Sequence, residues 1–234
     1  MQDLKARLGQ KAWGLDENVT IGPDGPDGPD GETVLTVRLP RGSINPKNKT
    51  APLGGMGWRW RPPLPDRLDR ACLTYRLYLD RDFGFRRGGK LPGLFGGDAP
   101  AGGRATDGRT GFSARLMWRH GGAGEVYAYI PGHPENRGAS LGRGAWWFDR
   151  ARWIEITQEI VLNAPDKADG SIRIWIDGVL RLERHGLVLR TSASVGIDGV
   201  MADVFFGGKT ASWAAPHDTM LRLSAFDLRW PSIE

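Results

Sequence analysis

Two stretches of the chain carry residue types that could do chemistry. Residues 84–91, GFRRGGKL, begin like the phosphate-cradling pattern G-x-x-x-x-G-K. That loop needs a hydroxyl after the lysine to meet magnesium, and it needs to run straight into a helix whose N-terminus faces the phosphates. Here the next residue is Leu91, and Pro92, Gly93, Gly96 and Gly97 break any helix starting there, while the preceding TYRLYLD alternates like an antiparallel strand. A nucleotide site is therefore excluded, and Lys90 needs another role.

The second stretch is TGFSARLMWRHGGAGEVYAYIP, residues 110–131. Alternation places Phe112, Ala114, Leu116 and Trp118 on one face, with Ser113, Arg115, Met117 and Arg119 on the other. In the following strand Val126, Ala128 and Ile130 point inward, so Glu125, Tyr127 and Tyr129 share the opposite face. If HGGAG is a five-residue hairpin loop pairing Arg119 with Glu125, Arg115 lies opposite Tyr129 and Met117 opposite Tyr127. Directly opposed residues have Cβ atoms about 4.5 to 5.5 Å apart, so Ser113, Arg115, Tyr127 and Tyr129 would form one polar patch. On alternation alone, the plainer reading is a solvated outer sheet face.

These residues must be held by strands. With 34 glycines and 16 prolines scattered among short apolar runs, the chain favours many short strands joined by tight turns. Strands are predicted at 33–39, 56–61, 71–80, 111–119, 125–130, 152–162, 171–176, 179–184, 200–206 and 219–230. Asp-Gly at 177–178 is a strong hairpin signal between two of them. Some ten antiparallel strands without a convincing helix predict an all-β, two-sheet sandwich or jelly roll. A chain of 234 residues can bury about 70 to 75 per cent of its unfolded surface in one core, so one domain over 1–234 is expected. Residues 1–31 are its least defined part, and GPDGPDGPDG at 22–31 reads as a polar loop, three triplets being too few for a collagen helix.

Thirty-two basic against 27 acidic residues give a formal charge of +5 and an isoelectric point near 9.6, which favours an anionic partner. Zinc-ligand spacing, a helix-turn-helix pattern and a lysine-rich arm are all missing, so nucleic acid is not expected. No run of about 18 apolar residues exists, so no membrane span is expected, and MQDLKARLGQ does not read as a signal peptide. Cys72, the single cysteine, reads as a small buried apolar residue. His120, His133, His185 and His217 have no ligand spacing, so no metal is expected. No nucleophile-elbow motif supports a serine triad. A glycoside hydrolase would need two carboxylates flanking the bond. The candidate pair, Glu155 and Glu159 in WIEITQE, reads as exposed strand residues.

The string GGKLPGLFGG at 88–97, followed by FSARLMWR and GEVYAYIP, resembles the polysaccharide lyase family 14 alginate lyases and the related glucuronan lyases. The resemblance continues through WIEITQEIVLN, DGSIRIWIDG, VFFGG and SWAAP, in order and spacing, from about residue 33 onward. It implies a jelly roll with a groove across one concave sheet. The functional set it implies is a lysine in a glycine-rich loop, a serine and an arginine two apart on one strand, and two tyrosines two apart on the next. Those positions hold Lys90, Ser113, Arg115, Tyr127 and Tyr129. It further implies an acidic polysaccharide substrate, polymannuronate first, and a secreted or periplasmic location; with no metal or triad pattern, elimination without a cofactor is expected, by a monomer.

The residue types suit that chemistry. A lyase removes the proton on C5 of a 4-O-linked uronate and expels the oxygen on C4, and a positioned cation must neutralise the carboxylate as enolate-like charge develops. Arg115, always charged and forked for a carboxylate, is assigned this role. Lysine and tyrosine titrate near 10.4 and about 10, so either acts as base only when cations or desolvation lower its pKa. Lys90 is then the base or a second neutralising cation, Tyr127 or Tyr129 protonates the leaving oxygen, and Ser113 holds the sugar. Arg59 and Arg61 alternate with Trp58 and Trp60 and extend the groove as substrate-binding candidates. Lys209, Trp146, Trp147 and Trp213 stay off the catalytic set, because packing or ordinary exposure explains them equally well. Two other readings stand beside the lyase: a lectin on the same sandwich, and a basic surface that binds anionic polymers nonspecifically.

Overall fold

The computed structural model describes residues 12–22, 33–64, 67–132 and 137–231. The first eleven residues, nearly all of the triplet repeat, and His133 lie outside them. One helical turn, α1 (Leu15–Asn18), leads into fourteen strands. These are β1 (Val19–Gly22), β2 (Val34–Leu39), β3 (Arg59–Trp60), β4 (Arg70–Leu79), β5 (Gly88–Gly97), β6 (Gly111–Arg119) and β7 (Gly124–Tyr129). There follow β8 (Ala139–Leu141), β9 (Trp153–Val161), β10 (Gly170–Ile176), β11 (Val179–Leu187), β12 (Gly199–Met201), β13 (Phe205–Phe206) and β14 (Thr219–Arg229). No helix of the described residues is long and apolar enough to cross a membrane.

The strands form two antiparallel sheets, a β-jelly roll. The back sheet runs β1-β2-β14-β4-β9-β10-β11, and the front sheet runs β3-β12-β5-β6-β7-β8, with β13 also on β5. Alternation explains the core between them. Leu73, Tyr75, Leu77 and Leu79 of β4, and Ile154 and Ile156 of β9, face Leu116, Trp118, Val126 and Ala128 of the front sheet, all fully buried. The Asp-Gly hairpin forms as expected, with Asp177 at φ 50° and Gly178 at φ 74° between Ile176 and Val179, the left-handed pair that a type I′ turn requires. The run at 200–206 splits into β12 and β13, and that at 56–61 shortens to β3.

One expectation is corrected outright. Residues 88–97, taken for a glycine-rich loop, are β5, a ten-residue strand at the centre of the front sheet. The glycines that obscured it are demanded by packing. A Cβ on Gly89 would lie 2.0 Å from the Trp118 ring, and one on Gly93 would lie 2.1 Å from the Ala114 carbonyl oxygen. Trp118 needs that space because it meets Phe83 and Phe206 edge-on, each at 5.3 Å between ring centroids. Pro92 is accommodated because the register slips between Leu91 and Gly93, and at a bulge the missing N–H breaks no ladder bond. Gln158 of β9 reaches across from the back sheet to the two strands beside the bulge. Its Oε1 accepts from Leu94 N–H and its Nε2 donates to Ala114 C=O, each at 2.8 Å. A buried polar side chain thus supports the bulge that lets Leu91 and Leu94, three residues apart, both enter the core, while Lys90 alternates outward beside Leu91.

Candidate active site

β6 and β7 place their chemistry-bearing residues on the outer face of the front sheet, as alternation required, but in a different register. Arg115 pairs with Tyr127, Ser113 with Tyr129, and Met117 with Glu125. The expected pairing of Arg115 with Tyr129 and Met117 with Tyr127 is thus off by two residues. The cause is the connection. His120–Gly122 winds into a 3₁₀ turn with Gly121 at φ 67°, and Arg119 N–H donates to Ala123 C=O at 2.7 Å, so the ladder starts at Trp118 and Gly124. A two-residue slip leaves every side chain on its own face, so the patch keeps its members and changes only their neighbours.

The solvated-face reading is overturned by burial. Ser113 and Glu125 are fully buried, Arg115 is 2% exposed, Tyr129 5% and Lys90 8%. Loops rise around this face and wall an open cavity of about 660 Å³. Its lining brings together Lys90, Arg115, Tyr127, Tyr129, Arg59 and Asp203.

Lys90 occupies the floor. β5 pairs it with Met117 on one side and with Phe205 on the other. Its Nζ lies 3.5 Å from the centre of the Tyr127 ring, and its other contact is the Met117 sulfur. A ring face and a thioether are weak partners for an ammonium. Burial, reinforced by the positive charges of Arg115 and Arg119, holds the Lys90 amine well below the usual lysine range. Lys90 is thereby biased toward a neutral amine with a free lone pair.

Arg115 enters from β6 with a counter-charge that the sequence did not signal. Its Nη1 donates to Asp203 Oδ2 at 2.7 Å, and Arg59 Nη1 grips Asp203 Oδ1 at 3.1 Å. Asp203 lies in the link between β12 and β13, 88 residues from Arg115, and no spacing pattern could have tied them together. The Nε atoms of Arg59 and Arg115 are buried without a partner among the described residues.

The tyrosines are fixed by backbone donors. Gly103 N–H donates to the Tyr129 hydroxyl at 2.9 Å, and Gly138 N–H to that of Tyr127 at 3.0 Å. Each phenol acts there as an acceptor, and the Tyr129 hydroxyl is also hydrogen-bonded to that of Tyr127. Burial pushes the Tyr129 pKa up, keeping it protonated in the alkaline range. Below them Glu125 accepts from Arg119, Ser140 and Arg143. Burial alone would raise this carboxyl, but those hydrogen bonds outweigh it and hold it below its ordinary value.

Other sequence candidates fall differently. The Ser113 hydroxyl donates to Pro100 C=O at 2.6 Å and faces no cavity; in place of a sugar, it holds the loop whose Ala101–Gly103 end walls the site. Arg61 is exposed, bound to Asp198 and the Gly97 carbonyl, and stands outside the cavity lining. Lys209 and Trp213 line the cavity, whereas Trp146 is core and Trp147 is exposed elsewhere. Glu155 and Glu159 lie on β9 of the back sheet. Glu159, expected to be exposed, is buried between Arg70 and Arg173, which hold it at 2.6 and 2.7 Å. The carboxylates in or under the cavity, Asp203 and Glu125, are each gripped by two arginines. No group of three His, Cys, Asp or Glu side chains among the described residues is arranged to hold a metal ion.

The arrangement therefore offers a neutral-leaning amine, two proton-bearing phenols and paired guanidinium groups in one cavity. Comparison with known proteins identifies the family. The family model for Polysaccharide lyase 14 matches residues 28–226. The crystal structure of the marine PL-14 alginate lyase from Aplysia kurodai superposes with a TM-score of 0.81 at 30% identity, covering 95% of this chain and 90% of that one. An alginate lyase from Chlorella virus gives 0.75 at 19% identity, covering 91% and 89%. An endo-beta-1,4-glucuronan lyase from the fungus Trichoderma reesei gives 0.60 at 10%, covering 96% and 90%. At these lower identities the likeness is one of fold. No curated protein sequence matches the chain.

Proposed function

We propose that this chain, which belongs to polysaccharide lyase family 14, cleaves a 4-O-linked polyuronate by β-elimination, with polymannuronate as its preferred polymer. It is a polysaccharide lyase, and the observation that carries the substrate class is the buried Lys90 amine facing the same cavity as Arg115 and the two tyrosines. In this reading the uronate carboxylate lies against Arg115 and Arg59, which both line the cavity. Their positive charge stabilises the enolate-like intermediate, and removing one such donor typically costs 100- to 1000-fold in rate. Lys90 Nζ takes the C5 proton, and that electron pair becomes the C4–C5 double bond. The C4–oxygen bond breaks, and the departing oxygen takes a proton from a tyrosine. Tyr129, which burial keeps protonated, supports the donor role.

A polymer of this size is met outside the cytoplasm, so a secreted or periplasmic monomer is proposed as the acting form. Mass spectrometry of the products tests the reaction itself. Elimination gives a new non-reducing end lighter by one water than hydrolysis gives. Products carrying the added water would overturn the proposal, as would binding of polyuronate without any cleavage.

A further inference from the structure

Beside the catalytic cavity lies a second one of about 810 Å³, and the two share a ridge formed by Arg119, Tyr127 and Trp213. Arg119 sits between the rings, with its Cζ 5.7 Å from the centroid of Tyr127 and 5.7 Å from that of Trp213. Glu125 fixes it from beneath through Nε at 2.7 Å. Beyond the ridge the lining gathers Arg87, Arg137, Arg143 and His120 around the exposed side of Trp213 and includes no carboxylate. Arg87 lies over the Trp213 ring at 5.4 Å and makes no ion pair with a described carboxylate. Arg143 spends one edge on Glu125, yet its side chain is 54% exposed.

Surface arginines are usually interspersed with acids, so a cavity with four of them, two sharing the buried Glu125, and no exposed acid keeps a surplus of positive charge for a ligand. A half-exposed tryptophan beside them offers an apolar face to a sugar ring. We propose that this second cavity, which bears none of the proposed catalytic groups except the shared Tyr127, binds the continuing acidic chain beyond the scissile bond. The carboxylates of successive uronates would meet Arg87 and Arg143, while Trp213 and Arg119 carry the sugar across the ridge. The inference rests on the polyuronate reading and adds to it a binding site that makes the enzyme favour long chains cut internally.

The test separates the two claims. Binding of polyuronate oligosaccharides of increasing length is measured calorimetrically on the Lys90→Ala protein, with and without Arg87→Ala and Arg143→Ala. Cleavage of the same series by the parent enzyme is followed in parallel. Affinity is expected to climb with length and then level off. The double variant should lose on the order of tenfold or more on the long oligosaccharides, since a charged hydrogen bond carries roughly that factor, and little on the shortest. Arg87→Lys, which keeps the charge, should retain most of the gain. Affinity that does not depend on length, or a loss equal at all lengths, overturns the inference even if the parent cleaves every substrate. A parent that cleaves no polyuronate at all overturns the catalytic reading instead, whatever the binding series shows.

Discussion

Replacing Lys90 by methionine keeps an unbranched, flexible side chain, one atom shorter, while deleting the charge, so the folded protein should become more stable. Two opposing contributions decide the sign. The attraction of the ammonium to the Tyr127 ring, at 3.5 Å, is worth about 2 kcal/mol when desolvated. Taking an ion out of water costs several kcal/mol, and among the described residues no carboxylate forms an ion pair with the ammonium; Glu125 and Asp203 attract it from farther off, but burial and the charges of Arg115 and Arg119 outweigh them. The cost outweighs the attraction, in line with the lowered Lys90 pKa. Because the folded pKa lies below the unfolded one, the unfolded chain binds more protons between the two values, and the stability of the parent rises with pH across that window. Lys90→Met removes this dependence. By thermal unfolding the variant should melt above the parent at pH 7, by about 2 to 4 °C per kcal/mol released for a chain of this size. The two curves should converge as the pH passes the ordinary lysine value near 10.4. A variant that melts below the parent at pH 7 would show that the charge is well accommodated, and the argument for a neutral amine would fail with it.

The alkaline behaviour of catalysis follows from the same shifts. The kcat/KM profile should rise through a pKa below the ordinary lysine value as Lys90 deprotonates, and fall only above the ordinary tyrosine value as Tyr129 ionises, while a rate that declines steadily from neutral pH to pH 9 would contradict both assignments. Asp203→Ala leaves the buried Arg115 without its counter-charge and should cost about 3 to 5 kcal/mol in chemical denaturation; a loss under about 1 kcal/mol would mean that the guanidinium finds other partners. Gln158→Leu strands Leu94 N–H and Ala114 C=O, at about 1 to 3 kcal/mol for each buried group, and should lower kcat through the displaced Lys90 strand; a variant as stable and active as the parent would remove Gln158 from the account.

Much of the fold was legible in alternation. β4, β6, β7, β9 and β10 fall within a residue of their expected bounds, because a strand with one face in a core must repeat every second residue. β5 was not legible, because its apolar pattern is broken by glycines whose reason is the Trp118 ring, a partner on another strand. The site divided along the same line. Lys90, Arg115, Tyr127 and Tyr129 were singled out from the sequence, and one cavity gathers all four. Asp203 was not, since its role exists only once β12 is folded against β5 and β3. Ser113 was placed on the correct face but assigned to a sugar, because alternation gives a direction and says nothing of the Pro100 loop above it. The hairpin register failed for a local reason, since counting HGGAG as loop ignores the tighter turn that a left-handed Gly121 permits.

The central claim is that Lys90 acts on a uronate polymer in this cavity. It is tested most directly by following the ultraviolet absorbance of the C4–C5 unsaturated product with polymannuronate, polyguluronate and glucuronan supplied separately, with the Lys90→Ala protein alongside. The account expects a rise that is strongest on polymannuronate and that disappears in the variant while its unfolding transition persists. A variant that still generates the unsaturated product at the parent rate, or a folded parent that generates none from any of the three polymers, would contradict it.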